Sequence, residues 1–213
     1  MSRTRGSIDS FVARVSQLRF DNAFNPYSDS CPVYDRADAP EIRRANLRLW
    51  LEAARRGGVT SVWVARDFGY RGGRRTGLAL TDEASLASCA SLLGVAGFSR
   101  ATNGEAVSER TATTIWRTLQ NLGQRVFLWN VVPVHPHEPG KPMSNRCHTA
   151  AERHACAGLL RWVVEELDPK VVVALGRDAS GALSDMELRH SPVRHPSYGG
   201  VSDFIAGIER IYS

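Results

Sequence analysis

Three polar side chains in this sequence close or follow apolar runs, and their types suit a reaction that separates charge. Asp67 ends the run Val62-Trp63-Val64-Ala65-Arg66-Asp67, Asn130 ends Val126-Phe127-Leu128-Trp129-Asn130, and His195 follows Val193-Arg194. A carboxylate stabilises developing positive charge and orients an attacking water. Amide and imidazole donors stabilise an oxygen that gains negative charge. Directly after Asp67 the chain reads Phe68-Gly69-Tyr70-Arg71-Gly72-Gly73-Arg74-Arg75-Thr76-Gly77. Its glycines let backbone N–H groups approach a phosphate, and Arg71, Arg74, Arg75 and the later Arg194 supply charge to one. Each residue alone has a plainer use: Asp67 as a turn cap, Asn130 as a partner for buried backbone groups, His195 as a loop histidine before a proline. Their shared position at strand ends is what marks a site.

The elements that must hold these residues alternate between strand and helix. Ile8, Phe11, Val12, Val15 and Leu18 recur at helical spacing, and residues 1–6 before them read as a frayed basic tail. Residues 21–40 carry prolines and polar residues and read as loop. A second helix is predicted from about Glu41 to Arg56, closed by Gly57-Gly58, with Arg43, Arg44, Arg48, Arg55 and Arg56 on its solvated face. After the strand through Asp67 and its loop, Thr81-Asp82-Glu83 caps a helix reaching Leu93, residues 94–107 read as an exposed loop, and a further helix ends near Gly123. The strand ending at Asn130 is followed by a proline-rich extended segment. Thr149 and Glu152 make a capping box for a helix to Leu167. Val171–Leu175 is a third apolar strand, and helices near 177–184 and 201–212 complete the chain. Continuous apolar strands alternating with helices indicate an α/β three-layer sandwich: a short, mostly parallel central sheet flanked by helices on both faces. With no repeat, low-complexity tract or linker, residues 1–213 form one domain.

Composition narrows the partners. The 213 residues carry 27 Lys and Arg against 22 Asp and Glu, a formal charge of +5, and Lys141 and Lys170 are the only lysines. An arginine-dominated excess suits phosphate, although coding preference produces it equally well. Cys31, Cys89, Cys147 and Cys156 include no Cys-x-x-Cys pair, so neither an iron–sulfur cluster nor a zinc ribbon is expected. His135, His137, Cys147 and His148 lie among prolines without a zinc-ligand spacing. We expect no metal and no organic cofactor. Without a signal segment or a long apolar run, the expected setting is cytoplasmic, without a membrane, and the expected state is a monomer.

The motifs occur in an order that resembles the uracil-DNA glycosylase superfamily. They are Phe24-Asn25-Pro26-Tyr27, the Gly/Arg loop from Gly69 to Gly77, Leu128-Trp129-Asn130-Val131-Val132-Pro133 and His195-Pro196-Ser197-Tyr198. The resemblance spans about residues 20–205. It implies that Asp67 positions or activates the water, that Asn130 reads the edge of a flipped base, and that His195 stabilises charge on the departing base. It further implies a phosphate contact from Ser197 and a wedge into the duplex from Tyr198-Gly199-Gly200. The first motif departs from the family: Ala65 and Phe68 replace Gly and Pro, and Arg66 replaces Gln or Glu. The aromatic side chain that stacks on the base falls, by loop spacing, on Leu80.

From this resemblance the expected activity is removal of uracil from DNA by hydrolysis of its N-glycosidic bond, leaving an abasic site. Asp67, Asn130 and His195 are the expected catalytic residues. Arg66, Phe68, Gly69, Tyr70 and Leu80 join Asn130 at the base. Arg71, Gly72, Gly73, Arg74, Arg75, Arg194, Ser197, Tyr198 and Gly199 face DNA. Two alternatives stand beside it: a glycosylase for hypoxanthine or another damaged base, and a DNA-binding protein of the same fold without activity. The second is disfavoured because a binding module has no need of a carboxylate facing anionic DNA.

Overall fold

The structure is a computed structural model that describes residues 6–213; residues 1–5, most of the expected basic tail, lie outside the described residues. Gly6 is tied down, its N–H donating to Glu166 and its carbonyl accepting from Arg55. Helix α1 (Ile8–Ser16) begins at Ser7, whose hydroxyl accepts the Ser10 N–H, and buries Ile8, Phe11, Val12 and Val15. Helix α2 spans Ala39–Gly57, starting two residues earlier than the pattern suggested because Pro40 is accommodated in its first turn. Strand β2 (Ser61–Asp67) leads through the short helix α3 (Gly73–Thr76), a 3₁₀ turn (Glu83–Ser85), α4 (Leu86–Leu93) and α5 (Arg110–Leu122) to β3 (Val126–Val132). Then come α6 (Ala150–Leu167), β5 (Val171–Leu175), α7 (Arg177–Asp185), β6 (Ser191–Val193) and α8 (Val201–Tyr212). A two-residue strand β1 (Ala23–Phe24) pairs antiparallel with β4 (His135–Pro136), within stretches that read as loop.

The main sheet has the order β3-β2-β5-β6, with every pair parallel. All seven residues of β3 are buried, as a strand covered on both faces requires. Phe127 and Trp129 point to one face, where Trp50 of α2 and Phe11 of α1 approach them at ring-centroid distances of 5.0 and 5.5 Å. Trp162 of α6 stacks on Phe11 at 4.1 Å, which places α6 on that side as well. Trp63 points to the other face and meets Phe204 and Tyr212 of α8 at 6.0 and 6.3 Å. The result is three layers, α/β/α.

Two expectations about solvation fail. Arg43 is fully buried on α2 rather than solvated: its guanidinium pairs with Asp35, and its Nε donates to the Arg75 carbonyl at 2.9 Å. The 94–107 segment is not wholly exposed. Ala101 and Thr102 are buried, and Thr102 bridges to Asp35. A buried guanidinium keeps its charge only where partners surround it, and this one collects them from the 26–35 loop and the Gly/Arg loop.

Candidate active site at the carboxyl edge of the sheet

In a sheet of order β3-β2-β5-β6, the chain leaves β2 toward β3 but leaves β5 toward β6. The connections diverge between β2 and β5, and the crevice at their carboxyl ends is where such sheets bind ligands. Asp67 is the last residue of β2. The parallel register sets Ala65 beside Asn130 and Asp67 beside Val132. Neighbours in a parallel ladder share a face and residues two apart do too, so Asp67 and Asn130 emerge on the same side. The Asn130 Nδ2 donates to the Asp67 carbonyl at 3.0 Å. Its Oδ1 is buried and accepts no hydrogen bond from the described residues.

The Asp67 carboxylate is held from two sides. Arg66 Nε lies 3.1 Å from both oxygens. From the segment before α6, the His148 backbone N–H reaches Oδ2 at 3.2 Å and His148 Nδ1 reaches the same oxygen at 3.3 Å. Arg66 also extends its Nη1 to Asp178 in the first turn of α7, at 3.3 Å, and to the Cys147 sulfur at 3.0 Å. The side chains of Asp67 and His148 are 8% and 7% exposed, whereas that of Arg66 is 36% exposed. Arg66 is therefore the most open of the three to solvent.

His195 comes two residues after β6. The Ser197 N–H donates to its Nδ1 at 3.2 Å, and the Ser197 hydroxyl lies 2.8 Å from the same atom. A ring nitrogen that accepts a backbone N–H carries no proton, so the ring hydrogen of the neutral form sits on Nε2. Burial and the guanidinium charges of Arg66 and Arg194 push the imidazole pKa down to about 4, with Asp67 pulling the other way. At neutral pH this histidine is an uncharged Nε2–H donor. Two glycines make room for it. A side chain at Gly176, which follows β5 and has φ +91°, would crowd the His195 Cβ, and one at Gly200 would sit 2.3 Å from the His195 carbonyl oxygen.

The Gly/Arg loop divides into exposed and buried halves. Arg71 is exposed and donates to the Ser108 carbonyl at 3.1 Å, and the Tyr70 N–H donates to Asn145 Oδ1 at 3.1 Å. The Glu109 carboxyl lies so close that a Cβ at Gly69 or Gly72 would fall 2.5 or 2.1 Å from its oxygens. Burial and the neighbouring Asp82, against the opposing pull of Arg71, raise the Glu109 pKa to about 7.

Arg74 and Arg75 depart from their expected DNA-facing role. Both are buried: Arg74 Nε donates to the Tyr34 hydroxyl at 2.7 Å, its Nη1 to His135 Nδ1 at 2.9 Å, and its guanidinium covers Phe24 at 3.7 Å. Arg75 donates to Glu83 at 2.9 Å and lies over Tyr34 at 4.0 Å. Neither guanidinium is free for a phosphate, because the loop folds inward as α3. Phe68 also departs from the base-lining role: its ring is buried under Gly73, near Tyr27. Gly72 and Gly73 are buried with it. Leu80 is half-buried and adopts φ +52°. On the His195 side, Arg194, Tyr198 and Gly199 are exposed; Tyr198 is 97% exposed and has φ +51°.

Sequence reasoning weighed His148 only as a zinc ligand and passed over Asn145, Glu109 and Asp178. His148 had a signal, since it directly precedes the capping box of Thr149 and Glu152, and so its backbone direction is set by α6. Among the described residues no three His, Cys, Asp or Glu side chains form a metal-binding group. No helix among them is long and apolar enough to cross a membrane.

The family model described as the uracil DNA glycosylase superfamily matches residues 72–203, more than half of the chain. Among solved structures, wild-type SMUG2 of Pedobacter heparinus is similar with a TM-score of 0.59. That likeness covers 96% of this chain and 97% of the other at 11% identity, and is a likeness of fold. No curated protein sequence matches the chain.

Proposed function

The chain belongs to the uracil DNA glycosylase superfamily and is in that broad sense a DNA glycosylase; from that premise we propose that it hydrolyses the N-glycosidic bond of uracil in DNA and leaves an abasic site. The observation that carries the choice of base is the state of the Asn130 amide. Its Nδ2 is engaged by the Asp67 carbonyl, and its buried Oδ1 lacks a donor among the described residues. An orphaned buried acceptor is costly until a ligand supplies an N–H. Uracil offers N3–H at that edge. Cytosine offers a lone pair there, which would face Oδ1 and leave both unsatisfied. Deaminated bases are thereby separated from their parents, and a mismatch of this kind discriminates strongly.

Bond cleavage places positive charge on the deoxyribose and negative charge on the departing base. The ionised Asp67 at the β2 edge opposes the first charge and orients the water that adds at C1′. The neutral His195 donates its Nε2–H to the base oxygen that gains the second. Being uncharged beforehand, it strengthens that bond as charge develops, without first attracting the phosphates. Arg71, Arg194 and the protruding Tyr198 form the outer rim, suited to hold a strand whose target base is turned out of the stack.

The test is alkali-revealed cleavage of labelled oligonucleotides carrying one uracil, hypoxanthine or thymine. Uracil release by the wild type, lost in Asp67→Ala and in Asn130→Ala, is expected. Release of hypoxanthine in preference to uracil would move the reading to the purine, whose N1–H satisfies the same acceptor. No release from any of the three, with salt-sensitive DNA binding intact, would overturn it.

A further inference from the structure

The donors around Asp67 crowd one of its two oxygens, Oδ2. An ionised carboxylate has about four lone-pair sites. Oδ2 faces three donors, Arg66 Nε, the His148 N–H and His148 Nδ1, and Oδ1 shares Arg66 Nε. The contact with the imidazole fixes that ring as well. A carboxylate only accepts, so Nδ1 must carry hydrogen, and the lone pair of the neutral ring is then on Nε2. His148 Nε2 makes no hydrogen bond to the described residues, and it is not among their sealed, unpartnered atoms. It is the one nitrogen of this couple left open to a small polar molecule. The ring is also rigidly delivered: the adjoining Thr149 and Glu152 close the capping box of α6, and Arg146, two residues earlier, donates to both Glu152 oxygens at 2.9 and 2.6 Å.

We propose that His148 is the general base of the reaction and that Asp67 and His148 work as a couple. The proposal rests on the glycosylase reading and refines its proton inventory. Water oxygen forms the bond to C1′ as the C1′–N bond breaks, and that bond's electron pair leaves with the base. One water proton passes to His148 Nε2 and later to solvent. Asp67 keeps the imidazole in the Nδ1–H tautomer, stabilises the imidazolium once formed, and presents its own charge to the sugar. His195 performs the opposite task at the base. The groups around His148 and Asp67 include Arg66 from β2, Asp178 from α7 through Arg66, Cys147 beside them, Arg146 two residues before His148, and His195 after β6.

The experiment compares wild type, His148→Ala and His148→Asn in single-turnover excision, with enzyme in excess over DNA carrying uracil or hypoxanthine. Thermal unfolding and affinity for abasic-site DNA are measured alongside. Asparagine at 148 retains an N–H donor in the position of Nδ1 but cannot accept a proton. General-base assistance is worth about 10²–10⁴ in rate. Both variants are therefore expected to lose about 10²-fold or more while unfolding and product affinity hold. An Asn variant at the wild-type rate overturns the proposal and reduces His148 to a positioning residue. An Ala variant within about threefold of wild type overturns it outright. A wild type that excises neither base overturns the glycosylase reading itself, and this proposal with it, so the two failures are distinct.

Discussion

Replacing Glu109 by Gln should stabilise the protein in alkali and leave it unchanged in acid. The carboxyl is wedged against Gly69 and Gly72, and it has no hydrogen-bond donor among the described residues. The Glu109 N–H donates to Asp82 Oδ2 at 2.6 Å, so a second negative charge is anchored beside the first. Burial and that neighbour raise the pKa from 4.5 to about 7, Arg71 offsetting part of the effect. A shift of that size corresponds to about 3 kcal/mol between the protonated and ionised forms. Part of the carboxyl remains open to water, which reduces the figure to about 1–2 kcal/mol.

The sign follows from proton binding. A folded-state pKa above the unfolded one makes the proton a stabilising ligand: the contribution is complete below about 4.5 and is lost as pH rises through about 7. Gln mimics the protonated acid at every pH. For a domain of this size 1 kcal/mol moves Tm by about 2–4 °C, so Glu109→Gln should melt about 2–8 °C above wild type at about pH 8.5 and within about 2 °C of it at about pH 5. His135 and His195, both held near a pKa of about 4, lose stability as pH falls, but they do so equally in both proteins and cancel in the difference. Melting followed by circular dichroism across pH decides the matter. An equal offset at both pH values, or a wild type more stable in alkali, would refute the buried-carboxylate account.

Other predictions follow from the same geometry. Arg75→Ala breaks a buried pair with Glu83 and should cost about 3–5 kcal/mol in urea unfolding without changing the salt slope of DNA binding. Arg71→Ala and Arg194→Ala should each flatten that slope by about one while leaving unfolding unchanged, and the reverse pattern would contradict the division of the arginines into buried and exposed. Gly200→Ala puts a methyl 2.3 Å from the His195 carbonyl, and a misplacement approaching 1 Å is worth about 10²-fold in rate. Excision should therefore fall far more than Tm, and a fully active variant would show that His195 tolerates the displacement. NMR of the imidazole carbons should find His195 neutral down to about pH 5; an imidazolium signal near pH 6 would remove it from the role of neutral donor.

The parts of the fold that the sequence makes legible are those where one physical requirement dominates. A strand buried on both faces must be apolar throughout, so Val62–Ala65 and Val126–Trp129 announce themselves; they locate Asp67 at the end of β2, whereas β3 runs two residues beyond Asn130 to Val132 rather than ending there. The capping box of α6 is legible because its two reciprocal bonds need particular side chains three residues apart. Burial of arginine is not legible, because local sequence registers the charge and not the partner. Asp35 lies 8 residues from Arg43, and Thr102 lies 27 from Arg75. Strands β1 and β4 are two residues each, too short for any period to form. His148 fell between these cases, since its position was set by a recognisable cap and its partner was 81 residues away.

Arg66 resolves a conflict that an acidic residue beside a polyanion would otherwise create. In the proposed reaction the Asp67 carboxylate faces the sugar, yet phosphates on either side of the target would repel it. Where this family carries a neutral or acidic residue, this chain places a guanidinium 3.1 Å from both carboxylate oxygens. The pair is nearly neutral toward DNA at a distance, while at contact range the carboxylate still presents its charge. The same guanidinium lowers the His195 pKa, next after burial among the causes, and so helps to keep that donor neutral. One substitution thus acts on both halves of the proposed reaction. Replacing Arg66 by Gln would remove the compensating charge from Asp67 and relieve His195 at once, so its effect on excision should exceed what the loss of either contact alone would give.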